Sequence, residues 1–144
     1  MLRREAPSRA TRRPCYRPEM VRGLGVDLVE TARVERSLER WGDRLVRRLM
    51  SAEEASRLPA TSPERARALA LAIAGKEAAS KAIGTGWSRG VRWRDVVVDL
   101  DPAPRVRLRG RAIEVARSLG STGETWTRLE LRGSLAVGEV RLLS

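Results

Sequence analysis

The sequence predicts an α+β domain in which a largely antiparallel sheet packs against one long helix. Residues 21–30 are apolar and rich in β-branched side chains, like a buried strand, and residues 63–84 have the composition of a helix. Two strand-like segments, 125–132 and 135–143, are separated by only two residues, which favours a hairpin. A chain of 144 residues has the length of one domain, so these elements are expected to share one core.

Two short helices are predicted after the first strand. The segment "TARVERSLERW", residues 31–41, places Val34, Leu38 and Trp41 at helical spacing under an arginine-rich outer face. Residues 43–50 have the pattern of another short helix. We therefore expect the first strand to lead directly into an amphipathic helix. The tryptophans at 41, 93 and 126 are expected in the core or in a subunit interface.

Capping signals mark the next two helices. Ser51 is followed three residues later by Glu54, which is the spacing of a capping box. Ser62 is the predicted N-cap of the long helix, with Pro63 at its first position. Gly84 ends this helix, because glycine adopts the left-handed conformation common at helix C-termini.

The second half of the chain is predicted to be mainly strands. Residues 90–100 and 104–110 form two of them, and residues 111–119 form a helix before the final hairpin. Gly133 and Ser134 are the two residues of the hairpin turn, and this pair suits type II′.

The composition excludes several kinds of site. The chain has no histidine and one cysteine, Cys15, which excludes an internal disulfide, a histidine base and the common zinc sites. The longest apolar run, residues 68–74, is too short to span a bilayer. We expect a soluble, cytoplasmic protein whose chemistry depends on carboxylates, lysine or a hard metal ion.

The basic N-terminus is predicted to be a disordered arm. Residues 1–19 combine arginine and proline with almost no apolar pattern, so they cannot bury enough surface to become ordered. They also lack the apolar centre of a secretory signal. We expect the folded domain to cover residues 20–144, and Met20 is an alternative start of the natural chain.

The net charge of +11 favours anionic partners without identifying one. Nucleic acid, acidic proteins and phosphorylated ligands would all be attracted to such a surface. With four tryptophans and one tyrosine as its aromatic residues, the chain offers no series of stacking side chains for single strands. A nucleic-acid-binding module is therefore an alternative that depends on charge alone.

Only two of the 29 basic residues are lysines, and both lie in the segment "GKEAASKAIGTG". Lysine is a compact charge that can approach a single phosphate oxygen, which favours a phosphate-binding role for Lys76 and Lys81. Glu77 and Lys81 are four residues apart on the predicted helix and share a face, whereas Lys76 faces a neighbouring direction. The same spacing also fits an ordinary surface ion pair.

Two further features favour a phosphate site. Gly84, Thr85 and Gly86 form a loop whose bare backbone N–H groups suit contact with phosphate. Asp27 stands in an otherwise apolar strand, where a charge needs a partner, solvent or a metal ion. If Asp27 and Glu77 converge, two carboxylates together with phosphate oxygens and water would suit Mg²⁺.

Three stretches of the chain resemble the holo-[acyl-carrier-protein] synthases, the small class of 4′-phosphopantetheinyl transferases. They are "GLGVDLVETARVERSLERWGDRLVRRLMSAEE", "AGKEAASKAIGTGWSRGVRWRDVVV" and "RVRLRGRAIEVARSLG". The most specific elements are the G-x-D of the first strand, the K-E-A-x-x-K helix and the continuation G-T-G-x-x-x-G-V-x-W-x-D. The resemblance covers about residues 21–120.

The resemblance implies a function and an assembly. Members of this family transfer 4′-phosphopantetheine from coenzyme A to a serine of an apo acyl carrier protein and release adenosine 3′,5′-bisphosphate. They need Mg²⁺. Their fold is a small α+β domain that forms homotrimers with active sites at the subunit interfaces. Neither a membrane nor a nucleic-acid partner is implied.

The resemblance also implies roles for individual residues. It assigns Mg²⁺ to Asp27 and Glu77, and catalysis to Glu77 and Lys81. The base that removes the serine proton would be either Glu77 or a metal-bound water. The residues expected to contact coenzyme A are Lys76, Lys81, Gly84, Thr85, Gly86 and Arg132. The residues expected to contact the acidic carrier protein are Arg33, Arg36 and Arg40.

The last strands depart from the family pattern. Family members carry a Ser-His pair in the penultimate strand and a few more residues before the final strand, whereas "LELRGSLAVGEV" has neither. Arg132 lies close to the expected position of the histidine and is a candidate substitute as a phosphate donor. Ile73 replaces an aromatic residue and is expected to alter packing only. A relative that binds carrier protein or coenzyme A without turnover is therefore a second interpretation.

Overall fold

The computed structural model describes residues 19–144, so the predicted arm at residues 1–19 lies, apart from Glu19, outside the described residues. Within that range there are five strands and five helices: β1 Val21–Glu30, α1 Thr31–Trp41, α2 Asp43–Leu49, α3 Ala52–Ser56, α4 Glu64–Ala82, β2 Val96–Asp99, β3 Arg105–Leu108, α5 Gly110–Ser118, β4 Thr125–Arg132 and β5 Leu135–Leu143. The predicted α+β class is confirmed. None of these helices is long and apolar enough to cross a membrane.

The strands pair antiparallel in two sheets. In the larger sheet β5 lies between β1 and β4, and in the smaller sheet β2 pairs with β3. Side chains join the two sheets, because the Thr127 hydroxyl accepts a hydrogen bond from the Val106 N–H at 3.0 Å. Gly133 has a φ of 57°, while Ser134 stays at negative φ, as the predicted type II′ turn requires.

Helix α4 is the central element of the fold, and it contacts both sheets and α1. Glycines in the larger sheet let it approach closely. A Cβ at Gly25 would lie 1.8 Å from the Ala78 carbonyl oxygen, and one at Gly138 would lie 2.5 Å from that of Ala74. The buried face of α4 is mostly alanine, and these small side chains also allow the helix to lie close to the larger sheet.

Two local predictions are wrong and a third is confirmed. Residues 90–95 are not a strand, because Trp93–Asp95 forms a 3₁₀ turn in which the Asp95 carboxylate accepts a hydrogen bond from the Arg92 N–H at 2.8 Å. The N-cap of α4 is Pro63 instead of Ser62, and it makes no side-chain cap bond. The capping box of Ser51 and Glu54 is confirmed.

Two tryptophans expected in the core or in a subunit interface lie on the surface of the chain, so the core is excluded and the interface stays a prediction. Trp41 is 47% exposed and Trp126 is 40% exposed. Each ring is covered by a guanidinium group, Arg40 at 4.9 Å and Arg141 at 4.3 Å from the ring centre. This cation–π contact compensates part of the exposure of a large apolar ring.

Candidate active site

Asp27 and Glu77 line one cavity of about 410 Å³ between β1, α1 and α4. Asp27 comes from β1 and Glu77 from α4. The remaining lining residues come from the same three elements and from α2, and they are Leu28, Val29, Glu30, Arg33, Val34, Ser37, Leu45 and Ile73. The predicted convergence of the Asp27 and Glu77 carboxylates is therefore present in the structure.

Lys81 lies at the edge of this site and is paired with one of the carboxylates. Its ammonium group donates to Asp27 Oδ1 at 2.8 Å and to the Val26 carbonyl at 3.0 Å. The Lys81 side chain is 52% exposed, whereas that of Asp27 is 17% exposed. Glu77 has no ion-pair partner within 4.0 Å among residues 19–144. One carboxylate is thus partly neutralised and the other is free.

The local sequence explains why these groups meet. Alternate residues of β1 face α4, and Gly23, Gly25 and Asp27 are on that side of the strand. The two glycines draw the helix onto the strand just before Asp27. On α4, Glu77 and Lys81 are one turn apart and share the face that meets β1. The G-x-D motif is therefore a packing device as well as a source of one carboxylate.

The donor set of this cavity fits a hard divalent cation. Both candidate ligands, Asp27 and Glu77, are carboxylates. Mg²⁺ commonly takes one or two protein carboxylates and receives its other ligands from water and from substrate phosphates. Across residues 19–144 there is no cluster of three or more His, Cys, Asp or Glu side chains that could enclose a metal ion without such help. The residues present are consistent with a shared protein–substrate site.

The Gly84–Gly86 loop follows α4 directly, beyond Lys81. Gly84 and Gly86 have φ values of 77° and 57°, and a Cβ at either position would meet nothing within 4 Å. Their N–H groups donate to the carbonyls of Lys81 at 3.0 Å and of Ser80 at 3.2 Å. The expectation of bare N–H donors at these glycines is therefore wrong. The loop instead offers open space and a backbone shape that glycine adopts easily.

Lys76 does not belong to this cavity, and its predicted contact with coenzyme A is corrected. The side chain is 0% exposed, and its ammonium forms an ion pair with Glu54 at 3.0 Å. Burial lowers the pKa of Lys76 below its ordinary value, and attraction to the Glu54 carboxylate opposes that shift. Adjacent residues of a helix point about 100° apart, so Lys76 enters the core while Glu77 faces the cavity.

Arg132 also lies away from the two carboxylates. Its side chain is 66% exposed, and its Nε donates to Glu130 at 2.7 Å. It borders a second cavity on the outer face of the larger sheet, beside Val26 and Leu28. Because alternate strand residues point to opposite faces, Arg132 and Asp27 cannot meet within one chain. The predicted contact of Arg132 with coenzyme A therefore stays a prediction that needs a second chain.

The three arginines predicted to bind carrier protein are all exposed on α1. Arg33 lines the cavity that holds Asp27 and Glu77. Arg36 does not line that cavity, and Arg40 covers the ring of Trp41 near the end of the helix. These positions leave the arginines accessible to a partner.

Some residues that shape the site were missed from the sequence. Ser37 and Leu45 form the cavity wall on the side of α1 and α2. Gly25 and Gly138 set the distance between sheet and helix. Glycine inside a strand is a recognised sign of close backbone approach, so this signal was available for both glycines. No comparable signal marks Ser37 or Leu45.

The chain is similar to known proteins of one superfamily. A family model described as the 4′-phosphopantetheinyl transferase superfamily matches residues 23–133. A holo-[acyl-carrier-protein] synthase of Alkalilimnicola ehrlichii is 46% identical over 106 residues, which are 72% of this chain and 83% of that protein. A second one, from Acidithiobacillus ferrooxidans, is 38% identical over 122 residues, 82% of this chain and 95% of that protein.

A solved structure resembles the chain as well. It is a holo-(acyl-carrier-protein) synthase from Bacillus anthracis in complex with CoA (3′,5′-ADP), with 26% identity and a TM-score of 0.69. The match covers 87% of this chain and 98% of that one. This chain belongs to the 4′-phosphopantetheinyl transferase superfamily. Its resemblance to the holo-[acyl-carrier-protein] synthases, first drawn from three sequence stretches, is confirmed.

Proposed function

We propose that this protein transfers 4′-phosphopantetheine from coenzyme A to a serine of an apo acyl carrier protein. The observation that carries the proposal is the convergence of Asp27 and Glu77 at one cavity, with Lys81 paired to Asp27, in a member of this superfamily. All three residues lie in the stretches that resemble the holo-[acyl-carrier-protein] synthases. The relatives named above and the bound CoA in the Bacillus anthracis structure support the choice of substrates.

In this reaction the serine hydroxyl oxygen forms a bond to the phosphorus that carries the pantetheine. The bond from that phosphorus to the bridging oxygen breaks, and adenosine 3′,5′-bisphosphate leaves with the electron pair. Phosphoryl transfer depends mainly on positioning and on stabilisation of negative charge. Lys81 is suited to the second task, since its ammonium is exposed at the cavity edge and already lies beside a carboxylate.

Mg²⁺ is the cation that we assign to Asp27 and Glu77. When bound, it would neutralise charge on the pyrophosphate and help to orient it. Asp27 is held in place by the Lys81 ammonium at 2.8 Å, so one ligand is oriented before substrate arrives. The Glu77 carboxylate keeps its full capacity because it makes no ion pair within residues 19–144.

The serine proton needs an acceptor in the same cavity. We assign this role to Glu77 ahead of Asp27, because the Asp27 carboxylate is already occupied by Lys81. A carboxylate has two oxygens, so Glu77 can hold the metal ion with one of them and accept a proton with the other. No histidine exists in the chain to take this role.

The carrier protein is proposed to dock along α1. Arg33 lines the cavity and Arg36 and Arg40 continue along the exposed side of the helix. Such a row of cations attracts an acidic partner and orients it during encounter. The net charge of +11 would add long-range steering toward the same partner.

We further propose that the active form is a homotrimer. Leu24, Val26 and Leu28 on the outer face of the larger sheet are 56%, 48% and 59% exposed, an apolar strip of the kind that a second copy covers. Arg132 borders a cavity on this outer face. A neighbouring copy packed there could bring its own Arg132 toward coenzyme A, which one chain alone cannot do.

Intact-protein mass spectrometry of an apo carrier protein tests this function. The carrier is incubated with coenzyme A, Mg²⁺ and either the wild-type protein or Glu77→Ala. We expect the mass of one phosphopantetheine to be added by the wild type only. If the folded wild type binds coenzyme A but modifies none of several carrier proteins, the transferase is excluded and the non-catalytic interpretation replaces it.

A further inference from the structure

Lys76 is adjacent to Glu77 but points into the protein, and the proposed chemistry gives it no role. Its ammonium donates to Glu54 at 3.0 Å, to the Trp93 carbonyl at 3.0 Å and to the Val96 carbonyl. An ammonium group has three N–H donors, so these three acceptors use all of them. A buried charge is tolerated only when it is fully paired, because an unpaired charge in the core is strongly destabilising. The complete pairing of Lys76 therefore indicates a structural role.

The partner carboxylate is equally well satisfied. Glu54 Oε1 accepts hydrogen bonds from the N–H and the hydroxyl of Ser51, both at 3.1 Å, and Oε2 accepts one from the Val98 N–H at 3.0 Å. Both side chains of the ion pair are 1% exposed. The pair therefore ties together α3, α4, the 3₁₀ turn and β2 at a single buried point.

From this point a chain of contacts leads to the loop after α4. The Trp93 ring stacks on Trp87 with centres 4.2 Å apart and planes 16° apart. Trp87 follows Gly86 directly in the sequence. The loop is also held by hydrogen bonds from the Gly84 N–H to the Lys81 carbonyl, from the Gly86 N–H to the Ser80 carbonyl and from the Ser88 hydroxyl to the Thr85 carbonyl. The tryptophan pair adds a side-chain support at the Gly86 end of the loop.

We propose that Lys76 is a positioning residue for the Gly84–Gly86 loop. By holding the Trp93 carbonyl, it fixes the ring on which Trp87 lies, and Trp87 in turn sets the conformation of the adjoining loop. The inference rests on the proposed function, in which coenzyme A is a substrate, and on the contact between coenzyme A and this loop that the family resemblance implies. It gives the second lysine of the motif a role that requires no contact with substrate.

The test uses a double variant, Lys76→Met with Glu54→Gln, which removes both charges and leaves no unpaired ion in the core. Leu69→Ala is the matched control, because Leu69 is 0% exposed in the first half of α4 and its truncation weakens the core without touching the tryptophan pair. Trp93→Leu is a second variant that keeps the ion pair and removes the stack. Each full-length protein is titrated with coenzyme A in Mg²⁺ by calorimetry, below its unfolding temperature.

We expect the dissociation constant of coenzyme A to rise about tenfold in the double variant, the scale of one lost charged hydrogen bond. Trp93→Leu should raise it to a similar degree, because the loss of the stacked ring removes the next contact toward the same loop. The near-ultraviolet circular dichroism of the stacked tryptophans should weaken in both. The carrier-protein KM should stay unchanged, and Leu69→Ala should bind coenzyme A like the wild type.

Two results would overturn the inference. The first is wild-type affinity for coenzyme A in Trp93→Leu or in a folded double variant. The second is an equal loss of affinity in Leu69→Ala, since this would show an effect of stability alone. Failure of the wild type itself to bind coenzyme A would instead overturn the proposed function, so the two failures are distinguishable.

Discussion

Lys76 and Lys81 are the two lysines of the chain, and they lie five residues apart on one helix in opposite environments. Lys81 is 52% exposed and pairs with Asp27 beside a cavity. Lys76 is 1% exposed and pairs with Glu54 in the core. Each lysine makes one ion pair with a carboxylate. The Lys81 pair is accessible to a ligand, whereas the Lys76 pair is buried and is not. The comparison teaches that the direction of a side chain from its helix, more than its type, decides its role.

The largest expected effect is a loss of phosphopantetheine transfer when Glu77, which shares the Lys81 face of α4, is changed. Glu77→Gln removes a proposed metal ligand and the proposed base while keeping the shape of the side chain. We expect the single-turnover transfer rate to fall on the order of 10²–10³-fold, the range seen when one group that stabilises transition-state charge is removed. Mass spectrometry of the carrier protein over time measures this rate.

Exposed Glu114 provides a matched control, since its side chain is 62% exposed and, among residues 19–144, pairs only with Arg111 in α5. Glu114→Gln should keep the wild-type rate. A similar fall in both variants would mean that general loss of negative charge, and not the cavity, determines the rate.

The next largest effect is a loss of folding stability when the buried ion pair of Lys76 and Glu54 is broken. Lys76→Met leaves the Glu54 carboxylate buried without its cation, so we expect the free energy of unfolding to fall by about 3–5 kcal/mol. Adding Glu54→Gln should restore part of this loss, because the unpaired charge disappears. Urea denaturation of the two variants measures the difference. Equal stability of single and double variants would contradict a coupled ion pair.

A smaller effect is expected where the sheet and α4 touch. Gly25→Ala would place a Cβ 1.8 Å from the Ala78 carbonyl oxygen, so the helix must shift. We expect a loss of about 1–3 kcal/mol in unfolding free energy, the usual range for overpacking, together with slower transfer because Asp27 and Glu77 separate. Thermal denaturation and the transfer assay measure both.

Ser134→Ala is the control for this substitution. Ser134 is exposed in the turn between β4 and β5, and the change removes its hydroxyl while keeping the backbone carbonyl that accepts a hydrogen bond from Thr31. It should leave the stability and the rate close to those of the wild type. A Gly25→Ala variant that behaved in the same way would show that the close approach of helix and sheet has no functional importance.

The smallest expected effect is the change in stability on removing the Asp99–Arg107 ion pair, which lies near the surface, unlike the buried Lys76–Glu54 pair. Hydrogen bonding from Arg107, at 2.7 Å, lowers the pKa of Asp99 below its ordinary value of 3.8. The unfolded chain then binds a proton more readily than the folded one, so this stabilisation is present above about pH 4 and is lost as the pH falls through the folded pKa. Asp99→Asn should cost about 1 kcal/mol or less at pH 7.

Urea denaturation between pH 3 and pH 7 checks the Asp99 prediction. The difference between Asp99→Asn and the wild type should shrink as the solution becomes more acidic. A difference that is constant over this range would show that packing of the amide, and not the charge of Asp99, is responsible.

Elements with a clear pattern were predictable from the sequence. β1 has an apolar composition, α4 lacks interruptions between its start and Gly84, and the final hairpin carries a suitable two-residue turn. The first carboxylate, Asp27, was identified because a charge in an apolar strand demands an explanation. These signals are local, so they can be recognised without knowledge of the tertiary structure.

The directions of side chains on α4 were not predictable to the same degree. Alanine occupies several faces of this helix, so the sequence does not show which side is buried, and Lys76 was assigned to the wrong side. The core alternative for Trp41 is wrong for another reason, because a guanidinium stacked on its ring stabilises it at the surface of the chain, and its place in a subunit interface stays a prediction. Both errors concern tertiary contacts that leave no periodic trace in the sequence.

The most direct test of the central claim is the transfer rate of Lys81→Met at saturating coenzyme A, measured beside its free energy of unfolding. The account predicts a rate reduced on the order of 10²–10³-fold and a stability within about 1 kcal/mol of the wild type, since an exposed ion pair contributes little to folding. A wild-type rate, or a loss of stability as large as that of Lys76→Met, would contradict the division of roles between the two lysines.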